Sequence, residues 1–280
     1  MYDTFNNIRN IEDDERREKG WGIYQKQQRS GEDRYQVATL GEFEYYAVFD
    51  GHGGTWRMGI DHVADYCVNH LHERLAMNIS KTDRYNNTDM INMIKRTFIE
   101  FDNEMYQKDK LYGSTCTIIL ADYNRNIVYQ INLGDSRSII FIKDEIISET
   151  RDHDPDDSIE RERINIGGGW VYYGRINGTL NVSRSFGDFE LKFNKDDIYD
   201  PVGGLVSAVP DINIIVMKEG MKCILTTDAP FENISITNKT LVDLFNDCAQ
   251  IKMIEDIPIC MGQTIIRTTT DDMTIIAAEI

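Results

Sequence analysis

The chain has 280 residues, 41% of them hydrophobic and 10% aromatic, enough for one large domain or two small ones with a sizeable core, which excludes wholesale disorder. Lys and Arg number 30 against 47 Asp and Glu, a net charge of −17. That balance argues against nucleic-acid binding, which needs a basic face, and leaves two readings of the acid excess: a well-solvated surface or a cation site.

The first residues, Met1-Tyr2-Asp3-Thr4-Phe5-Asn6-Asn7, are polar and lack the apolar stretch of a secretory signal. No run approaches the ~18 apolar residues that span a bilayer. The five cysteines, Cys67, Cys116, Cys223, Cys248 and Cys260, are odd in number and widely spaced, as expected of reduced thiols. Together these features predict a soluble, cytoplasmic protein. Residues 1–19 read as an extension and 20–280 as one domain.

From Gly20 to Asp50 the pattern is β-rich, with strands at Val37-Ala38-Thr39 and Tyr45 to Phe49. Between Trp56 and Met77, Ile60, Val63, Ala64, Cys67, Val68, Leu71 and Leu75 recur at helical spacing. Met90, Ile94, Phe98, Phe101 and Met105 form a second stripe, with Thr88 or Asp89 as its cap. Strands return at Thr115–Leu120, Ile127–Leu133 and Ser138–Ile142. A helix is predicted over Pro155–Ile166, then a β-hairpin around Asn177-Gly178, strands over 205–209, 212–216 and 222–227, a helix through Leu241, Leu244, Phe245 and Cys248, and a final strand Met273–Ala278. Paired helices between runs of strands favour α+β packing of antiparallel sheets over a parallel sheet.

Acids stand where strands end. Phe49 runs into Asp50-Gly51-His52-Gly53-Gly54, Leu133 into Gly134-Asp135, Thr227 into Asp228, and Thr270 into Asp271-Asp272, while Glu32-Asp33 lies in an early loop. A single Asp-Gly is an ordinary turn, but several acids on one sheet edge repel one another unless hard divalent cations neutralise them. A pair of Mg²⁺ or Mn²⁺ ions sharing a carboxylate generates a hydroxide for in-line attack on a phosphate. The triplet Asp152, Asp154, Asp156 imitates the start of a calcium loop, but Asp157 replaces the necessary glycine and Arg163 the final glutamate. His62, His70 and His72 fall on the first long helix and read as a solvated face.

In order, Glu32-Asp33, Phe49-Asp50-Gly51-His52-Gly53-Gly54, Gly113-Ser114-Thr115, Asn132-Leu133-Gly134-Asp135-Ser136-Arg137, Arg151-Asp152-His153, Glu162-Arg163-Ile164, the stretch Asn177 to Asp188, Asp228 and Asp271 make the chain resemble the metal-dependent protein serine/threonine phosphatases of type 2C. The resemblance runs from about Gly20 to the end. It implies two antiparallel β-sheets packed face to face and flanked by helix pairs, an α-β-β-α sandwich in a single domain. It further implies that Asp50 bridges two ions, with the Gly51 carbonyl and Glu32 on one and Asp228 and Asp271 on the other. Asp33 would order bound water. Asp135 would serve a third, weaker metal site, with Glu232 in place of the usual Asp. His52 would protonate the leaving seryl or threonyl oxygen. The resemblance thus implies Mg²⁺- or Mn²⁺-dependent hydrolysis of phosphoserine and phosphothreonine without a phosphoenzyme, by a monomer that acts on phosphoproteins and binds neither nucleic acid nor membrane.

Three departures from the family pattern support a rival reading, a pseudophosphatase that binds without turnover. The phosphate-gripping arginine falls at Gln28 by position, with Arg29 one residue late, so its guanidinium could face the wrong way. Ala229 and Pro230 replace a glycine after Asp228 and would be strained if the backbone there needs positive φ. Asp272 replaces an asparagine and adds charge beside a ligand. A phosphatase of small molecules is a third reading.

Overall fold

Buried runs in the central strands alternate between two interiors. Tyr45, Ala47 and Phe49 belong to one apolar cluster, while Tyr46 and Val48 belong to another, the period-two division of a sheet covered on both faces. The computed structural model describes residues 8–10, 20–27, 31–53, 63–83, 86–108 and 110–280. Its first sheet is antiparallel, with strands numbered along the chain and ordered β1 (Ile8–Asn10), β3 (Arg34–Leu40), β4 (Phe43–Phe49), β7 (Cys116–Asp122), β8 (Ile127–Leu133), β14 (Asp211–Val216). The second runs β10 (Glu145–Glu149), β9 (Arg137–Ile142), β15 (Met221–Thr226), β16 (Met273–Glu279), β2 (Trp21–Lys26).

Val48, Ile119 and Val128 of the first sheet meet Ile140, Leu225 and Ile276 of the second in the central layer. Helices α1 (Val63–Ile79) and α2 (Asn87–Gln107) cover the first sheet's outer face through Leu71, Leu75, Phe98 and Phe101. A further helix, α3 (Ser158–Ile166), follows β10, while α4 (Asn238–Ala249) and α5 (Ile257–Ile265) cover the second sheet through Leu241, Phe245 and Met261. This is the single α+β domain of layered antiparallel sheets anticipated from the sequence. No helix among the described residues is long and apolar enough to cross a membrane.

A third, small sheet joins β5 (Gly51–His52), β6 (Gly113–Ser114) and β13 (Phe186–Gly187). The hairpin β11 (Val171–Tyr172) and β12 (Arg175–Ile176) turns at Tyr173-Gly174 rather than at the anticipated Asn177-Gly178, which forms a following turn flanked only by an isolated Ile176–Leu180 bridge and closed by the Thr179 N–H on the Ile176 carbonyl at 2.9 Å.

Several elements depart from expectation. The second helix is capped by Asn86, whose side chain accepts from the Thr88 and Asp89 amides. The third begins at Ser158 with Asp157 as cap, because Asp154 and Pro155 form a preceding turn. No strand forms over 205–209, where Ser207 makes only an isolated bridge to Arg184. Helix α5 was not anticipated: Ile257-Pro258-Ile259-Cys260-Met261 is a continuous apolar run without helical period. His72 is not on a solvated face; it is buried beside Tyr45, whereas His70 is half-exposed and His62 lies outside the described residues. The expectation of five reduced thiols fails for two of them, since Cys248 of α4 and Cys260 of α5 form a disulfide, with Cys67, Cys116 and Cys223 free and buried.

Glu160 of α3 is the buried anchor of the loops that follow. Its carboxylate accepts from Arg184, from Arg163 Nη2 at 2.9 Å and from Ser183 Oγ at 3.0 Å. Burial alone would raise its pKa, but Arg184 and Arg163 outweigh burial and hold it down at about 2. A carboxylate depressed in this way contributes stability above its unfolded pKa and loses it as pH falls toward about 2. Glu160→Gln is therefore expected to lower stability by ~3 kcal/mol at pH 7 and to flatten the acid limb of the profile, measured by urea unfolding from pH 3 to 7.

Candidate active site

Strand ends carry the acids to one edge of the sandwich. Asp50 follows β4, Asp135 follows β8 and Asp228 follows β15, while Asp271 precedes β16 and Glu32-Asp33 precedes β3. Thr115 ties two of these ends together: its Oγ1 takes the Asp50 N–H at 3.1 Å, its own N–H binds the Asp50 carbonyl at 2.9 Å, and its hydroxyl lies 2.6 Å from that of Ser136. His153 fixes the Asp135 loop from the other side, its Nδ1 accepting the Gly134 N–H at 2.9 Å.

The carboxyls interact strongly. The carboxyls of Asp50 and Asp228 act on each other, which raises the pKa of the first and lowers that of the second. Burial, then the charges of Asp33, Asp228 and Asp135, push Asp50 well above the ordinary carboxylate range. Burial also raises Asp228 against that effect, helped by Asp271, Glu232 and Asp152. Asp135 reaches about 8 through burial and the charges of Asp228 and Asp152, opposed by His52.

Asp33 is held differently. Its Oδ2 accepts from Thr227 Oγ1 at 3.0 Å and Thr274 Oγ1 at 2.9 Å. Burial, partly offset by these hydroxyls and reinforced by Asp272 and Asp228, brings its pKa up to about 7. Glu32 and Gly51 are in contact: a Cβ at residue 51 would lie 2.9 Å from both the Cβ and the carbonyl oxygen of Glu32, so only glycine lets these segments meet. Glu232 is partly committed, since its Oε2 takes the Thr269 hydroxyl at 2.5 Å and the Thr270 N–H at 3.3 Å, bracing the turn that carries Asp271.

His52 Nε2 lies 2.8 Å from Asp188 Oδ2. Burial works against the charged imidazole, but Asp188 overcomes it and the His52 pKa is raised. Asp188 was not singled out in the sequence; its one signal is its place at the end of Arg184-Ser185-Phe186-Gly187-Asp188. Thr115, Thr227 and Thr274 were missed for the same reason, because a threonine at a strand end carries no mark of its partner. Arg29 lies outside the described residues.

The strain anticipated at Ala229 is absent, whereas the charge anticipated at Asp272 does act on the site through Asp33. Ala229 sits in a short 3₁₀ turn, Ala229–Glu232, and is not among the residues with positive φ. Asp272 turns its Oδ2 to the amides of Gly31 at 2.6 Å and Glu32 at 3.1 Å, so its charge caps the Glu32 loop. Beside Asp152 opens a cleft of about 620 Å³, lined by Arg137, Arg151, Asp154 and Asn238, with Arg137 forked onto Asp152 at 2.7 Å.

Among the described residues no group of three or more His, Cys, Asp and Glu side chains is arranged to enclose one metal ion. The donor set is nevertheless hard oxygen throughout, and two half-buried carboxyls that act on each other suit a small divalent cation.

A family model described as protein phosphatase 2C matches residues 18–257. The chain belongs to the protein phosphatase 2C family. Protein phosphatase 2C homolog 3 of Schizosaccharomyces pombe is 34% identical over 173 residues, covering 60% of this chain and 38% of that protein. Probable protein phosphatase 2C 6 of Paramecium tetraurelia is 32% identical over 201 residues, covering 67% of this chain and 64% of that protein. The chain thus spans less than two thirds of the length of these 2C relatives. A solved phosphatase from Toxoplasma gondii shares the fold with a TM-score of 0.76 at 20% identity, covering 92% of this chain and 93% of that one. Asp271 lies beyond the stretch matched by the 2C family model.

Carboxyls whose pKa is raised on folding bind protons that the unfolded chain releases, so they subtract stability as pH climbs from about 4 to about 8. In EDTA the melting temperature is expected to fall across that window, and Asp135→Asn to shallow the fall; a flat wild-type profile contradicts these proton affinities.

Proposed function

We propose that the chain is a divalent-metal-dependent protein phosphatase that hydrolyses phosphoserine and phosphothreonine on proteins. The observation that carries this reading is the close approach of the half-buried Asp50 and Asp228 carboxyls within a family of phosphatases. Glu32, Asp50, the Gly51 carbonyl, Asp228 and Asp271 would hold two Mg²⁺ or Mn²⁺ ions, and Asp135 with Glu232 a third. Bound there, such ions supply Lewis acidity toward phosphate oxygens and an ionised water at neutral pH, so the reaction requires no phosphoenzyme.

The chain's own groups do the rest. Asp33, anchored by two threonines, accepts a proton from water at the site, a role suited to a carboxyl with a pKa of about 7. His52, its pKa raised by Asp188, donates a proton to the departing alkoxide. Arg29 would grip the phosphate. Relaxed geometry at Ala229 removes one support of the pseudophosphatase reading. A net charge of −17 disfavours nucleic acid as a partner; the protein would act as a cytoplasmic monomer.

Phosphate release from a phosphoserine peptide in Mn²⁺ tests this. Activity is expected to vanish in EDTA and to fall at least about a hundredfold in Asp50→Asn and Asp228→Asn. Activity that survives chelation or both substitutions refutes the mechanism, and tight phosphopeptide binding without release supports the pseudophosphatase.

A further inference from the structure

The His52–Asp188 pair is built from three segments that meet at Gly113. In the small sheet, Gly113 pairs with His52 on one side and Gly187 on the other, and a Cβ at residue 113 would lie 2.2 Å from both Asp188 Oδ2 and His52 Nε2. The two side chains therefore close over a glycine, and any larger residue there would part them. Asp188 has a left-handed backbone, φ 49°, that is fixed by its N–H on the Tyr112 carbonyl at 2.9 Å. Its Oδ2 also accepts from Ser185 Oγ.

The seat of Asp188 is anchored by an ion pair with no exposure. Lys192 Nζ lies 2.7 Å from Asp102 Oδ1. Lys192 also donates to the Ser185 carbonyl at 2.8 Å, and Asp102 accepts the Gly187 N–H at 2.9 Å and the Tyr199 hydroxyl at 2.6 Å. The residues on both sides of Asp188 are thereby fixed to the interior. A buried charged pair contributes little net stability; here its hydrogen bonds set a loop in place.

We propose that Asp188 is a positioning residue for His52: by engaging Nε2 it fixes the proton on that nitrogen and leaves Nδ1 as the nitrogen offered to the site. A carboxylate on one ring nitrogen selects the tautomer and orientation of an imidazole in this manner. No proton passes to Asp188 in this role. The inference deepens the phosphatase reading and rests on it for its kinetic arm alone.

Nitrogen-15 NMR of the wild-type ring in EDTA, at a pH alkaline enough to neutralise it, reads the geometry without turnover. The proton is expected on Nε2; a proton on Nδ1, or an averaged pair of shifts, overturns the proposal. In the kinetic arm, Asp188→Ala and Asp188→Asn are expected to lower kcat on a phosphoserine peptide about tenfold or more. The same variants should change kcat on 4-nitrophenyl phosphate, whose leaving group needs no proton, by less than about threefold. Equal losses on both substrates overturn it. If the wild type hydrolyses neither compound, the phosphatase reading fails and the wild-type nitrogen shifts decide the placement of His52 by themselves.

Discussion

Buried like charge is the constraint on which the rest of this structure depends. Asp50 and Asp228 act on each other, and Asp33 and Asp135 add their charges to the same region. In a poorly solvated site such carboxyls hold protons or take up cations. The two sheets carry the cost: β4, β7, β8, β15 and β16 are buried on both faces, and a close-packed interior does not yield to repulsion at its edge. Threonine hydroxyls then set each acid individually, Thr115 beside Asp50 and Thr227 with Thr274 on Asp33.

The acid excess of the composition divides along this line. Asp102, Glu160, Asp188 and Asp272 all have internal partners: a lysine, two arginines, a histidine and two backbone amides. They join the acids of the proposed metal site as structural or functional groups; Asp122 is buried too, whereas Asp156 and Asp243 are exposed.

What could be read from the sequence was local. Period-two runs that end in Asp-Gly or Gly-Asp gave away Asp50 and Asp135, because a strand and its turn are both written in neighbouring residues. What escaped depends on contacts distant in the chain. Asp188 meets His52 across 136 positions, and Asp272 caps Gly31 across 241. The fear of strain at Ala229 failed because the chain after Asp228 coils into a 3₁₀ turn that any residue tolerates. Helix α5 escaped because both its sides are apolar, and so did its disulfide to α4, since spacing alone does not pair cysteines.

The central claim is that these carboxyls exchange protons for divalent cations. Calorimetric titration of the chelator-stripped protein with Mn²⁺ near pH 7, repeated in two buffers of different ionisation enthalpy, measures binding and proton release together. Saturable binding with release of about one proton or more is predicted, because Asp33 and Asp135 have pKa values of about 7 and about 8 and burial with neighbouring carboxylates raises Asp50 as well. Absence of binding, or binding heats identical in both buffers, would contradict it.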